Sequence, residues 1–135
     1  MPGYSGTPLP KKLGIKPKFR VHLNNAPPDV SAGLREAFAE CEMAKTASAR
    51  IDFAMAFSKS QSELKKDVAA IAKTIAPTGM LWVCWPKKSS GVATDMNEND
   101  VRDIGLAAGL VDVKVCAVTD IWSGLKFVRR VKDRK

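Results

Sequence analysis

Three short stretches carry residue types that could hold a small charged molecule: Asn24-Asn25, Ser58-Lys59-Ser60 and Lys87-Lys88-Ser89. Each follows directly on an apolar run, so each falls where a buried strand ends and the chain emerges. In open α/β sheets ligands bind in the crevice beyond the carboxyl ends of the parallel strands. Ammonium, hydroxyl and amide groups gathered there suit a carboxylate- or phosphate-bearing small molecule. Ser60 also opens a helical pattern, and a helix amino terminus turns free N–H groups and a positive dipole end toward an anion. Plainer readings stand beside these. Ser60 is read first as a helix cap, and Lys87 and Lys88 first as solvated loop charges, with ligand contact as the alternative.

Other reactive residue types form no constellation. His22 is the only histidine, so any triad or metal cluster would have to use that one residue, and it sits between Val21 and Leu23 as a strand residue would. Cys41, Cys84 and Cys116 are odd in number and widely spaced, with no CxxC pair to suggest a zinc site or a disulfide framework. None has a histidine or basic cluster beside it in sequence, so all three read as small buried hydrophobes. Trp82, Trp85 and Trp122 read as core, with Trp122, in a turn, the best placed to be exposed. Asp52 and Asp120 could pair with crevice lysines, but no catalytic carboxylate pair is implied. Neither a catalytic residue nor a metal or cofactor is expected.

The chain has 135 residues, 45% of them hydrophobic and 27% charged, the mixture of one ordinary globular domain. Its formal net charge is +8, but residues 1–20 and 126–135 each carry +5, leaving −2 for residues 21–125. No aromatic residue lies among the C-terminal charges after Phe127, as a single-strand stacking platform would want, so nucleic acid is disfavoured as a partner. No apolar run approaches the ~20 residues of a membrane span. Residues 1–18 lack a signal-peptide core, and a cytoplasmic location is expected.

The elements that must position the polar stretches follow from periodicity. Residues 1–18, with four Pro and three Gly, form an irregular arm in which Thr7 could cap one helical turn ended by Gly14. Residues 19–24 alternate as a strand, and Asp29 or Ser31 then caps a helix carrying Leu34, Ala37 and Phe38. Residues 51–57 (IDFAMAF) and 80–85 (MLWVCW) read as strands covered on both faces. Ser60-x-x-Glu63 is a capping box for the helix between them, which 77–79 (PTG) ends. Asn97 and Asp100 cap the next helix, with Met96 and Val101 as its hydrophobic staple and Gly109 as its exit. Residues 111–118 and 125–131 then form an antiparallel hairpin around a turn at 119–124. This order predicts a three-layer Rossmann-like α/β domain over 19–131, with a mostly parallel five-stranded sheet, a C-terminal antiparallel hairpin and a basic tail at 132–135.

The order, closing on a hairpin after Ala107-Ala108-Gly109-Leu110, resembles the class I methyltransferase fold with its second and third strands removed. LGIKPKFRVHLNNA (13–26) is similar to the entry into its first strand. GYSGTPLPKKLGIKP (3–17), LWVCWPKKSSGVATD (81–95) and AAGLVDVKVCAVTDIWSGLKFVRR (107–130) further resemble an uncharacterised bacterial family known only as a domain of unknown function. The methyltransferase resemblance implies S-adenosylmethionine bound at a Gly-rich turn after the first strand, with an acidic residue ending the second. Here the turn is Asn24-Asn25-Ala26-Pro27-Pro28, and ordinary cofactor binding is not expected.

The expected function is a non-catalytic domain that binds a small anion or an acidic segment of a partner. The alternatives are a divergent transferase-like enzyme and a nucleic-acid accessory protein using the basic ends. Without a second strand, the first would be a sheet edge needing cover. Covering by residues 3–17, through Tyr4, Leu9, Leu13 and Ile15, is preferred over pairing of two copies, which leaves a monomer or a homodimer.

Overall fold

The computed structural model describes residues 8–45 and 50–134. Six strands form one sheet: β1 (Arg20–Asn24), β2 (Glu42–Met43), β3 (Ile51–Phe57), β4 (Ile75–Pro86), β5 (Leu110–Ala117) and β6 (Trp122–Arg129), in the order β2-β1-β3-β4-β6-β5. The β2–β1–β3–β4 pairings are parallel, whereas β6 lies antiparallel between β4 and β5. The α/β class, the mostly parallel sheet and the closing hairpin are as the periodicity predicts; the strand count is six.

The sixth strand corrects the expectation of an uncovered first strand. Glu42–Met43 pairs with Arg20 and Val21, and the Glu42 and Ala44 N–H groups donate to the Phe19 and Val21 carbonyls. β2 covers the edge of β1 at Arg20 and Val21, with the evenly spaced, slanted bonds of a parallel pair. The described part of the arm lies elsewhere. Its helix α1 (Leu9–Leu13), which follows Pro8 and ends at a left-handed Gly14, packs on the sheet face, with Leu13 fully buried. The Trp82 indole N–H donates to the Leu13 carbonyl at 2.9 Å. Thr7 and Tyr4, named above as cap and covering residue, lie outside the described residues.

Strand alternation sends Leu81, Val83 and Trp85 to one face and Trp82 and Cys84 to the other, and each face has its own helices. On the first face α3 (Gln61–Ala72) buries Leu64, Val68 and Ile71, and α4 (Glu98–Ala107) buries Val101 and Ile104. Gly105 lets α4 press directly on Phe127, since a Cβ there would stand 2.0 Å from the ring. On the second face lie α1, the short α2 (Pro28–Gly33) and the turns after it, which bury Val30, Leu34 and Phe38. The three layers are therefore helices, sheet, helices.

Several local expectations shift. No side chain caps α2, which begins on Pro27 and Pro28 rather than at Asp29 or Ser31, because proline already holds the helical φ and lacks the N–H a cap would serve. Residues 77–79 do not end α3, which stops at Ala72; they lie inside β4, where the register with β3 shifts. Gly79 is needed at that shift, since a Cβ would meet the Ile51 carbonyl oxygen at 2.6 Å. β6 starts at Trp122, so Trp122 is buried, 8% exposed, rather than displayed in a turn. The Asn97–Asp100 capping box forms on both sides.

Candidate functional site

After β1 the chain turns through α2 to β2 on one side of β1, then returns to β3 on its other side. Connections thus diverge at the carboxyl ends of β1 and β3, and in open α/β sheets that divergence leaves a crevice. A cleft of about 490 Å³ opens there, lined by Asn25, Ser58, Lys59 and Ser60 among others. These four of the sequence-predicted residues are brought together. Lys87 and Lys88 are not: they line a separate cleft of about 610 Å³ beside Trp85, Asn97 and Glu98. A 3-10 turn (Lys88–Ser90) follows β4, and the Lys87 N–H is tied to the Ile121 carbonyl at 2.7 Å. Ser89 is exposed and lines neither cleft, and the Asn24 side-chain nitrogen is buried without a hydrogen-bond partner.

The β3–α3 turn is held tightly. Ser58 is 4% exposed, and its Oγ donates to the Ser60 carbonyl at 3.0 Å while accepting from the Ser60 N–H at 3.1 Å. Ser60 caps α3 by accepting from the Glu63 N–H. The expected capping box is only half made, because the Glu63 carboxylate is turned to Asn25, whose Nδ2 donates to it at 3.4 Å. Asn25 itself has a φ of 57°, a left-handed turn residue for which asparagine is suited. Asp95, from the loop after β4, accepts the Gln61 N–H at 2.9 Å. That carboxylate therefore occupies the α3 amino terminus that sequence reading offered to an anion. The same loop is fastened by Thr94 Oγ1 donating to the Lys59 carbonyl at 2.8 Å and Gln61 Nε2 donating to the Asp95 carbonyl at 2.7 Å.

Three features of the cleft escaped the sequence. Phe57 and Trp122 meet edge to face in its floor, ring centroids 5.2 Å apart at 83°. Asp29 and Glu63 line it together with Lys59, so it holds both signs of charge. Asp95 braces it from 34 residues beyond Gln61. The spacing from Ser60 places Glu63 at the start of α3, but its turn toward Asn25 and the other long-range partners left no local signal.

Elsewhere the reactive residue types are structural. His22 is 7% exposed, with Nδ1 against the Ala44 carbonyl at 3.1 Å, and Asp52 accepts the Arg20 N–H at 2.8 Å. Burial pushes the thiols of Cys84 and Cys41 up. Among the described residues no group of three or more metal-ligating side chains comes together, and no helix is long and apolar enough to cross a membrane.

No family model matches the chain, and no curated protein matches it. Solved structures do. Magnesium protoporphyrin IX methyltransferase (ChlM) from Synechocystis PCC 6803, with bound SAM, superposes with a TM-score of 0.58 at 11% identity over 90% of this chain and 74% of that one. A TehB-like SAM-dependent methyltransferase from Corynebacterium glutamicum gives 0.55 at 9% identity, over 95% and 90% of the two chains. The fibrillarin pre-rRNA processing protein of Methanococcus jannaschii gives 0.53 at 11%, over 91% and 69%. The chain thus has a methyltransferase-like Rossmann fold.

S-adenosylmethionine, the cofactor that this fold implies, does not suit the residues present. The turn after β1 has no glycine to admit a close ligand, and Pro27 and Pro28 offer no N–H groups. β2 is two residues long; its Glu42 pairs with Arg20 at 3.4 Å, and Ala44 and Lys45 follow it. Among the described residues no acidic side chain stands free at its end to hold a ribose.

Proposed function

We propose that the chain is a non-catalytic small-molecule-binding domain whose ligand sits between the carboxyl ends of β1 and β3. The observation that carries this reading is the cleft at the point where the connections diverge, with Phe57 and Trp122 in its floor and Lys59, Asp29 and Glu63 all among its lining. A ligand matched to that lining has an anionic group for Lys59, a cationic or donor-rich group for Asp29 and Glu63, and an apolar body. Kinship with the bacterial domain of unknown function and a cytoplasmic setting belong to the same proposal. They rest on the three matching segments and on three free cysteines.

Thermal-shift screening with amino acids, organic acids, nucleotides and S-adenosylmethionine tests the reading. A ligand at 100 times its Kd adds about 2.7 kcal/mol of stability. A zwitterionic ligand is expected to stabilise the wild type and not Lys59→Ala or Asp29→Asn; stabilisation unchanged in both variants would sink the assignment. The second reading, a divergent transferase, is favoured by the fold neighbours, and stabilisation by S-adenosylmethionine alone would select it.

A further inference from the structure

On the sheet face covered by α1, two lysines stand directly across from one another. Lys114 on β5 pairs with Lys126 on β6, and Lys126 pairs in turn with Trp82 on β4. Side chains so opposed have Cβ atoms about 5 Å apart, and like charges there are destabilising. The Lys114 ammonium lies 6.0 Å from the Trp82 ring centroid, so it leans over the sheet and toward Lys126. Lys126 is itself partly buried, and burial together with the Lys114 charge lowers its pKa. Along the same face at Cys116, burial raises the thiol pKa against the opposing fields of Lys12, Lys114 and Lys87. Lys114 and Lys126 thus stand together on the face that α1 covers. The ion pairs among the described residues are Arg20–Glu42, Arg102–Glu98 and Arg102–Asp112; none neutralises Lys114 or Lys126.

We propose that this face carries an oxyanion site, in which a phosphate-type group of a small molecule bridges the Lys114 and Lys126 ammonium groups. A multiply charged group fits because each lysine acts as a point charge and two stand side by side. Binding removes the repulsion between them, so the cost built into the unliganded hairpin becomes part of the affinity. Trp82 is fully buried beneath, leaving no open ring on which a base could stack, so charge rather than stacking is what the site offers. The site shares no residue with the cleft between β1 and β3, and its failure would leave that reading untouched.

Isothermal titration of the full chain with inorganic pyrophosphate, at ionic strength held constant with chloride, is the test. Wild type and Lys66→Gln, on an exposed position of α3, are expected to bind alike. Lys114→Gln and Lys126→Gln are each expected to weaken binding at least about tenfold, the loss of one charge-assisted bond. Both variants remove a like-charge contact, so they should be at least as heat-stable as the wild type, which separates lost binding from lost fold. No pyrophosphate binding by the wild type, or binding by either glutamine variant as tight as the wild type's, overturns the proposal. Binding confined to a DNA duplex with a steep salt slope overturns it in favour of a nucleic-acid surface.

Discussion

Lys126 is the residue at which charge and burial disagree most plainly. Its pKa is lowered from the ordinary 10.5, first by burial and then by Lys114 across the strand pair. The charged form is thus penalised in the folded protein, and the unfolded chain binds more protons just below pH 10.5. Stability must then rise with pH through that window and level off above it. Lys126→Gln is expected to remove this rise, so the wild-type-minus-variant difference in urea midpoint should grow as pH rises toward 10.5. A pH-independent difference would contradict the assigned burial. Residues of the cleft were legible to different degrees for a related reason. Asn25, Ser58, Lys59 and Ser60 follow apolar runs, so their position at strand ends could be read directly. Lys87 and Lys88 follow such a run too, but the 3-10 turn after Pro86 directs them to another cleft, and backbone direction over three residues has no counterpart in composition.

Among the elements, α1 shows how a segment that looks irregular can be structural. Its Pro- and Gly-rich surroundings read as an arm over a strand edge, yet Leu13 is fully buried and its carbonyl receives the Trp82 indole N–H. A five-residue helix has too few internal bonds to persist by itself, so tertiary packing holds it. Deleting residues 1–16 is expected to expose Trp82 and its neighbours and to lower stability by several kcal/mol, since burying one large apolar side chain is worth about 1.5–3 kcal/mol. Unfolding midpoints in urea would check this, and an undiminished midpoint would show that α1 merely rests on the sheet. The strands were legible because buried parallel strands are near-continuous apolar runs. β2 was not, since two exposed residues, Glu42 and Met43, carry no period at all.

At the scale of the whole molecule, both sheet edges are short or broken. On one side the edge is the two-residue β2; on the other, β5 is interrupted by a register shift between Asp112 and Lys114 and carries the Lys114 charge. Such features discourage edge-to-edge pairing. The chain is therefore expected to be monomeric, and light scattering at micromolar concentration should give the mass of one copy, 14.6 kDa. A stable dimer would direct attention to Val113 and Val115, which are about half exposed on β5. The charge distribution gains meaning at this scale as well. One of the C-terminal cations is structural: Arg129 Nε and Nη2 donate to the Ile75 and Ala72 carbonyls at 3.0 Å each, fastening β6 to the end of α3.

The Asp95 brace links parts of the chain that no helix or strand joins. Its loop begins near Lys87, is bonded to Lys59 and Gln61, and runs directly into the Asn97 cap of α4. Val92, on the same loop, lines both clefts. The starts of α3 and α4 should accordingly open as one cooperative unit rather than fray separately. Asp95→Asn is expected to raise amide hydrogen exchange at Gln61 and at Val101 together, while exchange in β3 and β4 stays as it was. If so, a molecule entering either cleft would change the vibrational and exchange freedom of the other, and the loop would serve as the joint through which the two sense each other.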